Sequence, residues 1–192
     1  MKDQAIYFVS NNEHKYEELL PLFKDSGIDI KFYKFKIEEM QSDDIEKIVY
    51  SKAIQAFKQV RRPVIVDHTG LFIKSWNEMP GALTQMFWDA LQEKICTMVD
   101  CFDDRTAVAK TVFGYCDGRE VFSEFSGESN GIISETPKIG REFQWAKIFV
   151  PEGCATGKAY SEISIDELNK FSYRAIAFNK FCSFYKKHRE NL

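Results

Sequence analysis

Four short segments of the chain carry residue types able to do chemistry. The first is Ser10-Asn11-Asn12-Glu13-His14-Lys15, which sets two amides, a hydroxyl and a lysine where an apolar run gives way to an amphipathic one. At such a strand–helix junction the first helical N–H groups lack intrahelical partners and the positive end of the dipole faces outward, which suits a phosphate. Ser10 and Asn12 add side-chain donors, and Lys15 adds a point charge one turn in. The same residues also make an ordinary helix cap followed by an exposed lysine. The second segment is Asp67-His68-Thr69-Gly70, where a carboxylate and an imidazole follow a short apolar run. Together they can hold a metal-bound water or take its proton, while Asp67 beside Gly70 equally forms a turn. In the third, Gly131 to Gly153, Phe143 and Trp145 can sandwich a flat base, although core packing is the common use of aromatics in a chain with 17 phenylalanines. The fourth, Asn169 to Arg174, offers donors from Ser172, Tyr173 and Arg174, and Arg174 can read a keto oxygen. A solvated helix face explains them as well.

The elements that must position these groups follow from periodicity. The run Ala5 to Val9 reads as a strand, Glu13–Lys24 as a helix with Tyr16, Leu19, Leu20 and Phe23 on one side, and Ile28–Tyr33 as a second strand. Asp43–Val60 reads as a helix stopped by Pro63. Val64–Val66 is a short buried strand, placing Asp67 at the carboxyl end where ligands of α/β sheets gather. A turn is expected at His68–Gly70, then Leu71–Lys74, a Pro80-Gly81 corner and a helix running to about Val99. Thr106 to Ser129 reads as a hairpin around Asp117-Gly118. The tail, Asp166 to about His188, reads as one long helix with the stripe Leu168, Phe171, Ala175, Phe178, Cys182, Tyr185. The class is α/β, with helices on both faces of a sheet.

Composition narrows the function. The 192 residues hold 26 Lys+Arg against 29 Asp+Glu, a net charge of −3 that argues against nucleic-acid binding. Their 44% hydrophobic content is that of a globular chain, and with no linker or repeat one domain over residues 1–192 is expected. No apolar run reaches the ~18 residues of a membrane span, and the first residues lack a signal peptide's pattern. Five scattered cysteines and no CxxC pair point to reduced thiols and a cytoplasmic location. His14, His68 and His188 stand too far apart for a structural zinc site.

Taken in order, the segments resemble the inosine triphosphate pyrophosphatase family. Its TGNxxK block stands here as Ser10-Asn11-Asn12-x-x-Lys15, and its acidic DSGL block with a PG corner as Asp67-His68-Thr69-Gly70-Leu71 and Pro80-Gly81. Its GFG[YW]DPIFxPxG block stands as Glu142 to Gly153, its TxAE segment as Lys158 to Glu162, and its KNxxSHRxxA helix as Leu168 to Ala177. The resemblance implies a two-lobed α/β fold with a long central mixed sheet, a cleft between lobes and a homodimer. It implies Mg²⁺-dependent cleavage of ITP, dITP or XTP between the α- and β-phosphates, releasing pyrophosphate. Carried over, Ser10, Asn12, Lys15 and Lys52 hold phosphates, Glu39 ligates the metal, Phe143 and Trp145 flank the base, and Ser172 and Arg174 read its edge, with Tyr173 beside them.

Departures from the pattern cluster in one site. The family's catalytic aspartate falls at His68 while its partner acid remains as Asp67; Ala146, Leu168 and Tyr173 replace an aspartate, a lysine and a histidine. The expectation is a chain that binds a deaminated purine triphosphate but turns it over slowly or not at all. Such a chain suits a sensor or regulatory subunit, for instance of a bacterial anti-phage module with an NAD-consuming effector. An active pyrophosphohydrolase using Asp67 and His68, and a structural subunit that binds no nucleotide, are the alternatives.

Overall fold

The computed structural model describes residues 5–118, 122–141, 144–154 and 157–190. Strand β1 (Ile6–Ser10) leads through Asn12 into helix α1 (Glu13–Ser26), whose first turn is capped by the Asn12 side chain accepting from the His14 N–H and whose end is Gly27 at a φ of 71°. Strand β2 (Ile30–Lys34) precedes α2 (Ile45–Val60), which Asp44 caps by accepting from the Lys47 N–H at 3.0 Å. Strand β3 (Val64–Ile73) follows, then a 3-10 turn, the two-residue β4 (Pro80–Gly81), α3 (Thr84–Leu91) and α4 (Lys94–Val99). Two long strands, β5 (Thr106–Cys116) and β6 (Phe122–Ile133), pair with β7 (Phe149–Pro151) beyond them, and α5 (Ile165–Leu168) and α6 (Tyr173–Glu190) complete the order.

The sheet has seven strands in the order β2-β1-β3-β5-β6-β7, with β4 on β3. Strands β1, β2 and β3 run parallel and the remaining pairs antiparallel, so the sheet is mixed as expected. Three cores form around it. Helices α1 and α6 cover Ile6, Phe8, Ile65 and Phe113 on one face, and α2 covers Val9, Val64, Val66 and Val112 on the other. At the far ends of β3 and β5 a third core gathers Leu71, Ile73, Ala107, Trp145, Phe149 and Tyr160. Strands β3 and β5 therefore each contribute to all three cores, and the space between those cores is where a cavity opens.

Three expected elements differ. His68–Gly70 is not a turn: β3 is one strand of 10 residues, paired with β5 from Val64↔Cys116 to Ile73↔Ala107. Gly70 serves a close approach instead, since a Cβ there would lie 2.5 Å from the Gly81 carbonyl oxygen. The helix expected to run to Val99 breaks at Gln92, where φ is 51°. The tail helix is two helices: Ser164 caps α5, and the Ser172 hydroxyl accepts from the Ala175 N–H at 3.1 Å and starts α6. The apolar stripe persists across that break because its two halves pack on different cores, Leu168 and Phe171 on one, Phe178, Cys182 and Tyr185 on another.

Candidate functional site: two charge clusters at a cavity

A cavity of about 790 Å³ opens between the cores, lined by the start of α1, the segment before α2, the middle of β3, α3, the turn at Trp145 and Arg174. The positions of its charged groups follow from strand alternation: successive side chains of β3 point to opposite faces. Asp67 therefore turns toward α1 and α6, and His68 toward α2.

On the α1 side, Asp67 is 1% exposed and its carboxylate accepts from Lys15 at 2.9 Å, with the Arg174 Nε 3.9 Å away. Burial alone would raise its carboxyl, but Lys15, Arg174 and Lys52 hold it down at about 2. Burial pulls the Lys15 ammonium below its ordinary value against the attraction of Asp67. Behind them Arg174, wholly buried, donates from one terminal nitrogen to Glu18 at 2.9 Å and to the Tyr173 hydroxyl at 3.1 Å. Tyr160 donates to the second Glu18 oxygen at 2.6 Å. Sequence reasoning missed Glu18; its signal was a carboxylate next to Leu19 on the buried face of an amphipathic helix, three residues from Lys15.

On the α2 side the arrangement is open. Lys52 donates to one Glu39 oxygen at 2.5 Å, and the other Glu39 oxygen lies 3.7 Å from His68 Nδ1. Burial would raise Glu39, yet Lys52 keeps its carboxyl below the usual range. His68, 7% exposed, has its imidazole pushed down to about 4, first by burial and then by Lys52. Its Nε2 lies 2.8 Å from the Ala82 carbonyl, which can only accept, so Nε2 carries the proton. The β3–β4 corner sets that contact: Thr84 accepts from the Leu71 N–H at 2.7 Å and donates to the Gly81 carbonyl at 2.6 Å, fixing the Ala82 backbone beside the ring.

The structure thus brings Asn12, Lys15, Glu39, His68, Trp145 and Arg174 to the cavity wall. Asp67 and His68, expected to act as a pair, stand on opposite faces of their strand, and Asp67 is outside the lining. Ser10, Lys52, Ser172 and Tyr173 are outside it too. Ser10 accepts from the Asn12 N–H at 3.1 Å, Lys52 is committed to Glu39, and Ser172 caps α6. The Tyr173 ring stacks on Trp145 at 6.0 Å and on Tyr160 at 5.2 Å, behind the cavity wall, and burial raises its phenol. Phe143 lies outside the described residues. Gln144 donates to Gln85 at 2.7 Å across the rim, a contact with no local sequence signal.

The lining carries five Asp or Glu against three Lys or Arg. Among the described residues no three His, Cys, Asp or Glu are grouped to hold a metal. Glu39 and His68 are the pair that approach one, and they fit Mg²⁺ poorly. That cation demands oxygen ligands, whereas one Glu39 oxygen is taken by Lys52 and the second donor is an imidazole nitrogen.

A mixed sheet with helices on both faces, and a charged cavity between its cores, defines an α/β protein. The sequence profile of the Ham1 family matches residues 6–184, and the chain belongs to that family. It is similar to the dITP/XTP pyrophosphatase of Saccharolobus solfataricus, 34% identical over 183 residues that cover 95% of this chain and 94% of that one. The dITP/XTP pyrophosphatase of Methanopyrus kandleri is 32% identical over 95% of this chain and 97% of its own. Inosine triphosphate pyrophosphatase 2 of Trypanosoma cruzi is 30% identical over 91% and 89%. The fold matches the solved HAM1 protein of Coxiella burnetii with a TM-score of 0.79 at 22% identity, covering 96% of this chain and 99% of that one. The Staphylococcus aureus Ham1 protein gives 0.77 at 22%, covering 96% and 100%. No helix among the described residues is long and apolar enough to cross a membrane.

Proposed function

We propose that the cavity binds a deaminated, 6-keto purine nucleoside triphosphate with a divalent cation, and that this chain hydrolyses it slowly or not at all. The relatives' names as dITP/XTP and inosine triphosphate pyrophosphatases support the ligand class. The observation that carries the second half is His68. Where the resemblance places the catalytic aspartate stands a neutral imidazole whose one proton is held by the Ala82 carbonyl. General-base assistance contributes about 10²–10⁴-fold, so losing the carboxylate removes about 3–5 kcal/mol of transition-state stabilisation. Asp67 is no substitute, clamped by Lys15 and 1% exposed. Ground-state affinity rests on other contacts: Asn12 and Lys15 for phosphates, Trp145 against the base, Arg174 at its edge.

In this reading the chain is a sensor or regulatory subunit. The chain works as a homodimer whose occupancy is read by an effector such as an NAD-consuming enzyme in anti-phage defence, which requires differential affinity of the ligand for two states. Isothermal titration calorimetry with dITP and a divalent cation, and dATP as control, is the test. Saturable binding with intact dITP afterwards is expected, and His68→Asp is expected to raise turnover by about 10²–10⁴-fold. Rapid pyrophosphate release by the native chain overturns the reading. It would favour a working pyrophosphohydrolase instead, in which the Nδ1 lone pair facing the cavity acts as base and His68→Ala abolishes turnover. That second reading rests on the same fixed tautomer.

A further inference from the structure

The metal question has an answer in the tautomer of one ring. Ala82 takes the Nε2 proton of His68, so Nδ1 presents a lone pair. That lone pair faces a Glu39 oxygen 3.7 Å away, and both atoms are acceptors. Two acceptors so placed at a cavity wall, one on a side chain more than nine-tenths buried, call for a cation between them. A gap of 3.7 Å is within the span of two bonds of about 2.1 Å each.

We propose that Glu39 and His68 Nδ1 hold a borderline transition-metal ion, of the Mn²⁺, Co²⁺ or Zn²⁺ kind, in preference to Mg²⁺, with nucleotide phosphate oxygens and water completing its shell. Imidazole nitrogen suits these ions and oxygen-only ligation suits Mg²⁺. The second shell is in place on both sides: the Ala82 carbonyl orients the imidazole, and Lys52 orients the carboxylate. The inference rests on the nucleotide reading, since two protein donors alone leave most of the coordination sphere to the ligand.

The test uses the full chain with α,β-methylene-dITP, which resists cleavage and carries no nitrogen in its phosphate chain. Electron spin-echo modulation of bound Mn²⁺ is expected to show a directly coordinated ¹⁴N that changes to the ¹⁵N pattern when histidine alone is ¹⁵N-labelled. This readout needs no variant. The second readout is the ratio of Co²⁺ or Zn²⁺ affinity to Mg²⁺ affinity, which is expected to fall in His68→Asp as an imidazole nitrogen gives way to an oxygen ligand. Nucleotide binding without histidine coupling, or an unchanged ratio in His68→Asp, overturns the metal assignment and leaves the nucleotide reading standing. Absence of analogue binding with Mn²⁺, Co²⁺, Zn²⁺ and Mg²⁺ alike overturns both.

Discussion

Asp67 and His68 are neighbours in the chain and occupy opposite electrostatic worlds. On the α1 face, Asp67, Lys15, Arg174, Glu18 and Tyr160 form a closed network in which buried charges answer one another. On the α2 face, Glu39 is 40% exposed by side chain, and His68 turns an unprotonated nitrogen toward it at the cavity. One face is paired within itself beside the cavity, and the other keeps an unprotonated imidazole nitrogen at the cavity wall. The difference teaches that a pair of polar residues in a motif need not act as a pair: pleating separates them, and their partners decide their tasks.

The largest expected effect breaks the closed face. Glu18→Ala leaves the Arg174 guanidinium buried without its main carboxylate, and urea denaturation should report a loss of about 3–5 kcal/mol. The next effect separates the faces by pH. The unfolded chain takes a proton at His68 near 6.5, while the folded chain refuses it until about 4. Between those values the unfolded state binds more protons, so stability is full above pH 6.5 and falls toward pH 4, by on the order of 3 kcal/mol. His68→Gln should flatten that window, as followed by denaturant midpoints at successive pH values. Asp67 then contributes a separate loss as pH falls from about 3.8 toward about 2, which the His68 variant keeps.

Lys15 touches both regions, because it pairs with Asp67 and lines the cavity. Lys15→Ala should weaken dITP binding by about 10–100-fold in calorimetry, the worth of a charge-assisted hydrogen bond to phosphate. The smallest effect belongs to neither face: Ser172→Ala, which removes the α6 cap, should cost about 1 kcal/mol of stability and leave dITP affinity within twofold. A large affinity loss there would return Ser172 to the base edge.

Much of the scaffold was legible because local rules carried it. Asn12 as a cap, Pro63 as a stop and the alternation of Thr106 to Ser129 each need only neighbours in sequence. The tail misled because periodicity reports burial and not continuity, so one stripe served two helices on two cores. Gly70 misled because a glycine kept for a close backbone approach looks like a glycine kept for a turn. With the turn removed, strand alternation alone would have parted Asp67 from His68.

The amino-acid sequence by itself determined the α/β class, the family resemblance and the candidacy of Asn12, Lys15, His68, Trp145 and Arg174, because residue type and short-range spacing dictate those, while Glu39 became a candidate only through what the resemblance implies. Only the tertiary structure decided which of them meet. Glu18 finds Arg174 across 156 positions and His68 finds the Ala82 carbonyl across 14. A buried charge or a ring proton takes its role from the partner packed against it, and packing is a property of the folded chain.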